Sequence, residues 1–237
     1  MSKIKHVIVD GDILVYRCGF ACKDDEPLEN ALHSVKLYIQ GILDQFPDHE
    51  TFQVYLTGKD NFRYKVATIK EYKGNRKDTP KPKYYNEIRE YMEKVWKAEV
   101  IHGMEADDAM AMSQWGCPDR STVIASIDKD LKMIPGFHFN FVKQELTDIS
   151  LKEANRMLFW QMLVGDTSDN IPGINKVGPK TADKMLPMDG DEASWKRTVI
   201  EEYKKQYGPK WKEAYNEIAT LLWMIRDRDQ SCDFLEW

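Results

Sequence analysis

The feature that most constrains this chain is a pair of short apolar runs that each deliver acids at their carboxyl ends. Lys5–Asp10 reads Lys-His-Val-Ile-Val-Asp and breaks at Gly11, while Ser121–Ile127 reads Ser-Thr-Val-Ile-Ala-Ser-Ile and runs into Asp128 and Asp130. Unalternated runs of this length are the pattern of parallel strands buried on both faces. Ligands of such sheets collect at the carboxyl edge. The sequence therefore predicts an α/β protein, a central, mostly parallel, twisted sheet flanked by helices, with Asp10, Asp128 and Asp130 at one edge. Phe52–Leu56 reads as the second strand, Ala98–His102 as an edge-like third and His138–Val142 as a fifth.

Helical segments separate these strands. Leu28, Leu32, Val35, Ile39, Ile42, Leu43 and Phe46 recur at three and four after Pro27, which predicts an amphipathic helix over one sheet face. Tyr84–Trp96 has a helical pattern, and Ser150-Leu151-Lys152-Glu153 has the form of a capping box opening a helix that runs to Gly165. Glu192–Tyr207 and Pro209–Met224 read as further helices, with Trp211, Tyr215, Ile218, Leu222 and Ile225 as a core stripe.

More acids sit at element ends. Glu105, Asp107 and Asp108 open a helix that Gly116 closes; its dipole explains any one of them as a cap, but three crowded acids repel unless a cation is bound. Asp166 and Asp169 are three apart after the next helix, so a continuing turn points both toward one cation. Pro172, Gly173 and Gly178 then make a tight turn, and Pro179 suits the first position of a helix. Backbone N–H groups at a glycine-lined helix start attract phosphate without reading bases, and Lys176 and Lys180 add charge there. With no histidine or cysteine among them, these carboxylates select hard cations such as Mg²⁺ or Mn²⁺ and disfavour zinc.

Charge is unevenly spread. The net charge of −5 excludes a protein coated in basic residues, yet residues 59–83 hold nine Lys or Arg against three Asp or Glu. Such a run is either an anion-gripping segment or a solvated charged face. Lys73 and Arg76 are three apart within it, so on a helix or turn both can face one phosphodiester. The four cysteines, Cys18, Cys22, Cys117 and Cys232, form no Cys-x-x-Cys pair, which suits a reducing compartment. The absence of a signal-type start and of an apolar run near the ~20 residues of a membrane span predicts a soluble, intracellular chain.

The motifs Asp12–Arg17, Glu71–Lys77, the Ser-x-Asp-Lys-Asp-Leu form of Ser126–Leu131 and Gly165–Ala182 together resemble those of the 5′-nuclease family of 5′→3′ exonucleases and flap endonucleases, over roughly Lys5 to Leu186. The resemblance implies a PIN-like core with a helix-hairpin-helix DNA-binding region and a short helical arch. It divides the chain into a catalytic core at 1–164, with a basic arch around 70–96, and a helix-hairpin-helix and helical region at 165–237. It implies two Mg²⁺ or Mn²⁺ ions held by Asp10, Glu105, Asp107, Asp108, Asp128, Asp130, Asp166 and Asp169, with Asp10 and Asp128 central to catalysis. Lys73 and Arg76 would neutralise the scissile phosphate, and the products would be a 5′-phosphate and a 3′-hydroxyl. Tyr16 would stack on a base near the cut, with a core tyrosine as the alternative reading. Tyr72, Lys77, Gly173, Lys176, Gly178, Lys180 and Thr181 would lie on the substrate side, and hairpin carbonyls between Gly173 and Gly178 would bind K⁺.

The substrate implied is DNA with single-strand/double-strand junctions or 5′ ends, cut by a monomer in the cytoplasm, of the host if the chain is phage-encoded. An end at Trp237 leaves no room for a polymerase domain, so the stand-alone bacteriophage members are the most similar. Two departures stand out. About thirty residues between Lys73 and Glu105 are few for an arch that encloses a strand, and the family's aspartate after the second strand aligns nearest Gly58. Asp12 or Asp60 would have to compensate. A PIN-like ribonuclease and a non-catalytic DNA-junction binder remain as alternatives.

Overall fold

The computed structural model describes residues 4–227, so Cys232 lies outside the described residues. The described chain forms two compact units, one of residues 4–61, 80–149 and 225–227 and one of residues 62–79 and 150–224. Among the described residues no helix is long and apolar enough to cross a membrane.

In chain order the first unit holds β1 (His6–Asp10), α1 (Gly11–Ala21), α2 (Leu28–Asp44) and β2 (Thr51–Thr57). A single turn, α3 (Arg63–Val66), belongs to the second unit. The first unit resumes with α4 (Tyr85–Val95), β3 (Glu99–Ile101), α5 (Ala106–Trp115), β4 (Thr122–Ala125), β5 (Gly136–Asn140) and β6 (Glu145–Ile149). The sheet order is β3-β2-β1-β4-β5-β6, parallel throughout except for the antiparallel β5–β6 pair. β3 is an edge, as its sequence predicts.

Alternation along the pleat decides what each face meets. Val7, Val9, Val54, Leu56, Val123 and Ala125 share one core with Leu14 and Val15 of α1, Val35 and Ile39 of α2 and Ile88 and Met92 of α4. Ile8 and Ile124 point to the other face, where α5 packs on the sheet. A large-to-small change in this layer costs about 2–5 kcal/mol. Acids at the sheet edge are therefore the cleaner places to test function.

Two elements of this unit go beyond the sequence expectations and a third is shifted. The segment after Asp10, taken only as a motif, is the regular helix α1. β6 was not anticipated; it is exposed along nearly its whole length and carries no apolar alternation. β5 begins two residues earlier than expected and ends at Asn140, whose Oδ1 accepts from Val142 N and Lys143 N and turns the chain.

The second unit is helical. α6 (Leu151–Val164) opens on the expected capping box: Ser150 Oγ accepts from Glu153 N at 3.2 Å and Glu153 Oε2 from Ser150 N at 2.8 Å. β7 (Gly165–Asp166) pairs antiparallel with β8 (Ile171–Pro172), and α7 (Pro179–Met185), α8 (Glu192–Tyr207) and α9 (Trp211–Leu222) follow. Tyr203 donates to Met162 O at 2.9 Å, and its ring meets Tyr215 edge-on at 5.5 Å, joining α6, α8 and α9. Tyr215, Ile218 and Leu222 are buried and Trp211 half-buried. Ile225 does not extend this stripe, because the helix ends at Leu222 and Ile225 belongs to the first unit.

Residues 62–79 are fastened to α9. Arg63, buried at 2% exposure, donates from Nε to Leu221 O at 2.9 Å and from Nη2 to Trp223 O at 2.6 Å. That places a cation on the carbonyl end of a helix, where the dipole favours it. Glu217 accepts from Thr68 N and Ile69 N, each at 2.7 Å. Arg63 is thus a structural member of the basic run.

Candidate active site

In the first unit the acids gather where the sheet ends. Asp10 closes β1, caps α1 by accepting from Ile13 N at 3.1 Å, and accepts from Ser126 Oγ at 2.6 Å. Ser126 Oγ in turn accepts from Asp128 N at 3.0 Å, and Asp128 Oδ1 accepts from Asp130 N at 2.8 Å. β1 and β4 are neighbours, so Asp10, Asp128 and Asp130 form one hydrogen-bonded chain through Ser126. Ser126 opens the family-like Ser126–Leu131 motif but was not expected as a site residue, and its hydroxyl is what joins Asp10 to Asp128. Asp10 is pushed up to about 7, first by burial and then by the charges of Asp12 and Asp128, while Ser126 and Ile13 pull the other way.

Glu105 and Asp108 do what capping predicts. The Glu105 side chain accepts from the Asp108 backbone N–H, and Asp108 Oδ2 accepts from Glu105 N at 3.1 Å. Asp108 is fully buried, and its Oδ1 accepts from Ile225 N at 2.9 Å. A reciprocal box therefore accounts for two of the three acids, and capping does not account for all three. Asp107 is half-buried beside them.

The position aligned with the family's missing acid admits no side chain. Gly58 N donates to Ile101 O at 2.7 Å, and a Cβ there would lie 2.6 Å from that oxygen and 2.7 Å from His102 Nδ1. The nearby acid is Asp12, whose Oδ2 accepts from Thr57 N at 2.9 Å and whose Oδ1 pairs with Arg89 Nη1 at 3.0 Å. Arg89 also donates to Thr57 O at 2.8 Å. Asp60 is exposed, with φ 65.

In the second unit the basic turn and the second acid pair form one motif. α6 ends at Gly165, whose φ of 77 turns the chain into β7, so Asp166 and Asp169 do not continue a helix. Asp166 Oδ1 accepts from Ser168 N at 2.8 Å and Ser168 Oγ at 2.7 Å. Asp169 turns elsewhere: Oδ1 pairs with Arg76 Nη2 at 2.7 Å, Oδ2 accepts from Tyr72 Oη at 2.7 Å, and Lys73 Nζ stands 3.7 Å from Oδ2. Hydrogen bonds to backbone carbonyls tighten the match, from Lys73 N to Asp169 O at 2.9 Å, Arg76 Nε to Ser168 O at 2.7 Å and Asn75 Nδ2 to Thr167 O at 2.7 Å. Tyr72, expected on the substrate side, is 2% exposed and packs edge-on against Tyr64 at 5.4 Å. Its role is to hold Asp169. Lys77 is exposed and pairs with Glu71 at 2.7 Å.

The hairpin residues Lys176, Lys180 and Thr181 are exposed, and Pro179 follows its Gly178 cap as expected. The two glycines differ. A Cβ on Gly173 would lie 2.3 Å from the carbonyl carbon of Val164, whereas a Cβ on Gly178 meets nothing within 4 Å. Tyr16 in the first unit is 41% exposed on α1, which removes the core-tyrosine reading. His138 is a packing residue: burial pushes it down to about 4, and its Nε2 lies 2.7 Å from Ile134 O.

Among the described residues, no group of three or more His, Cys, Asp or Glu is arranged to hold a metal ion. The donor chemistry nevertheless fits a hard divalent cation, since Asp10 is buried with like charges around it and bound positive charge would relieve both penalties.

A family model described as 5′-3′ exonuclease, N-terminal resolvase-like domain, matches residues 5–156. A 5′-3′ exonuclease of Buchnera aphidicola subsp. Schizaphis graminum is 31% identical over 199 residues, 74% of this chain and 67% of that protein. DNA polymerase I of Bacillus subtilis is 31% identical over 248 residues; the alignment spans 94% of this chain but only 27% of the polymerase. In fold the chain is similar to the bacteriophage T5 flap endonuclease in a pseudo-enzyme–product complex with DNA and metal ions, at TM-score 0.59 and 19% identity, over 92% of this chain and 99% of that one.

Proposed function

The chain belongs to the 5′-3′ exonuclease family, and on that premise we propose that it is a divalent-metal-dependent 5′ nuclease. It hydrolyses DNA phosphodiesters at 5′ ends or at single-strand/double-strand junctions and leaves a 5′-phosphate and a 3′-hydroxyl. The observation that carries the reading is the chain of Asp10, Ser126 and Asp128 at the carboxyl edge of the parallel sheet, with Asp10 buried and crowded by like charge.

When bound, Mg²⁺ or Mn²⁺ acts as a Lewis acid toward water and toward the phosphodiester. Asp10, Asp128 and Asp130 would hold such a cation at the sheet edge, Asp107 and Glu105 would add charge at the start of α5, and Asp108 keeps that helix start in place. The second unit's own candidates are Asp166 and, in exchange for its contacts with Arg76, Tyr72 and Lys73, Asp169. Lys73 and Arg76 supply positive charge where the scissile phosphate gains negative charge in the transition state. Tyr16 offers a base-stacking face. Gly178, Lys176, Lys180 and Thr181 hold duplex backbone, Gly173 shapes that turn, and K⁺ on the hairpin carbonyls belongs to the same proposal, as do a monomeric state and a cytoplasmic setting.

The test is one assay with three substrates. A 5′-labelled flap, a nicked duplex and an RNA hairpin are each incubated with Mg²⁺ and then with EDTA. Cleavage of the DNA substrates that EDTA abolishes, leaving 5′-phosphate ends, is the expected result. Cleavage confined to the RNA hairpin assigns a ribonuclease, and binding without any cleavage assigns a junction binder.

A further inference from the structure

In the first unit, three aromatic side chains meet at the surface where α1 and α4 pack together. Tyr16 and Phe20 stand four residues apart, on one face of α1, and are 41% and 59% exposed. Their ring centroids are 6.0 Å apart, and Tyr85 at the start of α4 lies edge-on to Tyr16 at 5.8 Å. Tyr85 is half-buried, so the exposed aromatic surface is chiefly that of Tyr16 and Phe20, and adjoining exposed rings of this kind suit a binding face. Cations flank it: Lys81 Nζ lies 4.2 Å from the Tyr85 ring centroid and the Arg89 guanidinium 5.6 Å from it.

The cluster is built rigidly. Gly19 lets the chain at Pro82 and Lys83 lie directly on α1, for a Cβ there would be 2.7 Å from Pro82 Cβ and 2.8 Å from Lys83 O. Lys83 then donates to the carbonyls of Lys23, Asp24 and Glu26 at 2.9, 2.7 and 2.7 Å. Tyr84 donates to Glu26 O at 3.0 Å. Tyr85 is thus fixed beside Tyr16 in advance, and little conformational freedom is lost when a ligand arrives.

We infer that Phe20 and Tyr85 extend Tyr16 into a stacking platform for unpaired bases of a single strand, with Lys81 receiving its phosphates. This rests on the nuclease reading. Single strands offer base faces that a duplex hides, and stacking on aromatic rings accepts every base. α1 begins beside Asp10, so the platform leads away from the acid edge; Phe20 lies about 6 Å farther along the helix axis than Tyr16. A duplex would satisfy Lys81 but leave the rings without partners.

The test is fluorescence anisotropy in Ca²⁺ with two probes, a blunt hairpin duplex and the same hairpin carrying a 5′ thymidine extension of about eight nucleotides. Phe20→Ala and Tyr85→Ala should each weaken binding of the extended probe about tenfold and leave the blunt probe unchanged, and Phe20→Trp should retain wild-type affinity. Equal affinity of Phe20→Ala for the extended probe, or an equal loss on both probes, overturns the platform. So does a change in the sedimentation of the free protein in Phe20→Ala, which would make the patch a contact between copies. Cleavage of nicked duplex by the wild type in Mg²⁺ separates the two claims. If the wild type cleaves and Phe20→Ala binds normally, only the platform fails; if the wild type cleaves nothing, the nuclease reading fails, whatever the binding shows.

Discussion

Arg76 and Asp169 form a 2.7 Å ion pair across 93 residues of sequence, and Tyr72 and Lys73 converge on the same carboxylate. The carboxylate stands where an anion satisfies two cations that the family resemblance assigns to a phosphate. Arg76 is about half exposed, so the pair itself adds little stability, at most about 1 kcal/mol. Arg76→Ala should therefore shift the melting temperature by only a few degrees. Its single-turnover rate should fall by on the order of a hundredfold with duplex affinity nearly kept. Equal losses of rate and affinity would make Arg76 a phosphate anchor.

Placing an acid at position 58 should not rescue a weakened metal site. Gly58→Asp drives a side chain into Ile101 O and His102, so a lower melting temperature and no fall in the Mg²⁺ concentration for half-maximal cleavage are expected. Asp12→Asn keeps the Thr57 contact and loses the Arg89 ion pair, at a cost of about 1–3 kcal/mol, with metal dependence changed less than twofold. A large rise in the Mg²⁺ requirement of Asp12→Asn would identify Asp12 as a relocated ligand.

The pH dependence of the metal-free protein reports on Asp10. Its folded pKa of about 7 lies above the ordinary 3.8, so the folded state holds a proton that the unfolded state has released between those values. Asp10 by itself should lower stability in EDTA as pH rises from about 4 to about 7, by on the order of a few kcal/mol. His138, held down to about 4, raises stability as pH climbs to its ordinary 6.5, so the Asp10 part is read as the difference between wild type and Asp10→Asn. Asp10→Asn should remove that fall, leave the rise that His138 contributes, and raise the melting temperature at pH 8 while abolishing cleavage in Mg²⁺. Parallel profiles of wild type and Asp10→Asn in EDTA would remove the crowded-charge explanation of this edge.

The two hairpin glycines separate folding from binding. Gly173→Val should destabilise the protein, because its Cβ has no room beside Val164. Gly178→Val has open space and should leave the melting temperature unchanged while weakening duplex binding similarly across sequences. Salt titration should give a slope near −0.9 per phosphate contact for the wild type and a shallower one for Gly178→Val. Indifference of the slope to Gly178→Val would take the hairpin out of the DNA interface.

Local chemistry made much of this legible. The apolar runs ending at Asp10 and Asp128, the Ser150–Glu153 box, Pro179 at a helix start and the helix Glu192–Tyr207 all announce themselves within a few residues. What escaped was non-local or without pattern. Nothing near Asp12 points to Arg89, 77 residues away, and nothing near Asp169 points to Arg76. Arg63 looks like any member of a basic run until α9 supplies the carbonyls it caps. β6, exposed along its length, has no buried face to write an alternation into the sequence. Gly58 could be aligned with an acid only because a sequence does not show Ile101 O lying 2.6 Å from where its Cβ would be.

Asp128→Asn tests metal-dependent cleavage at the acid edge. Single-turnover cleavage of a 5′-labelled flap in Mg²⁺ is measured beside duplex binding in Ca²⁺, for wild type and variant, with melting curves to confirm folding. The expected result is loss of nearly all cleavage with binding retained, because ligation depends on this carboxylate and backbone docking does not. Turnover near the wild-type value in the folded variant would contradict it.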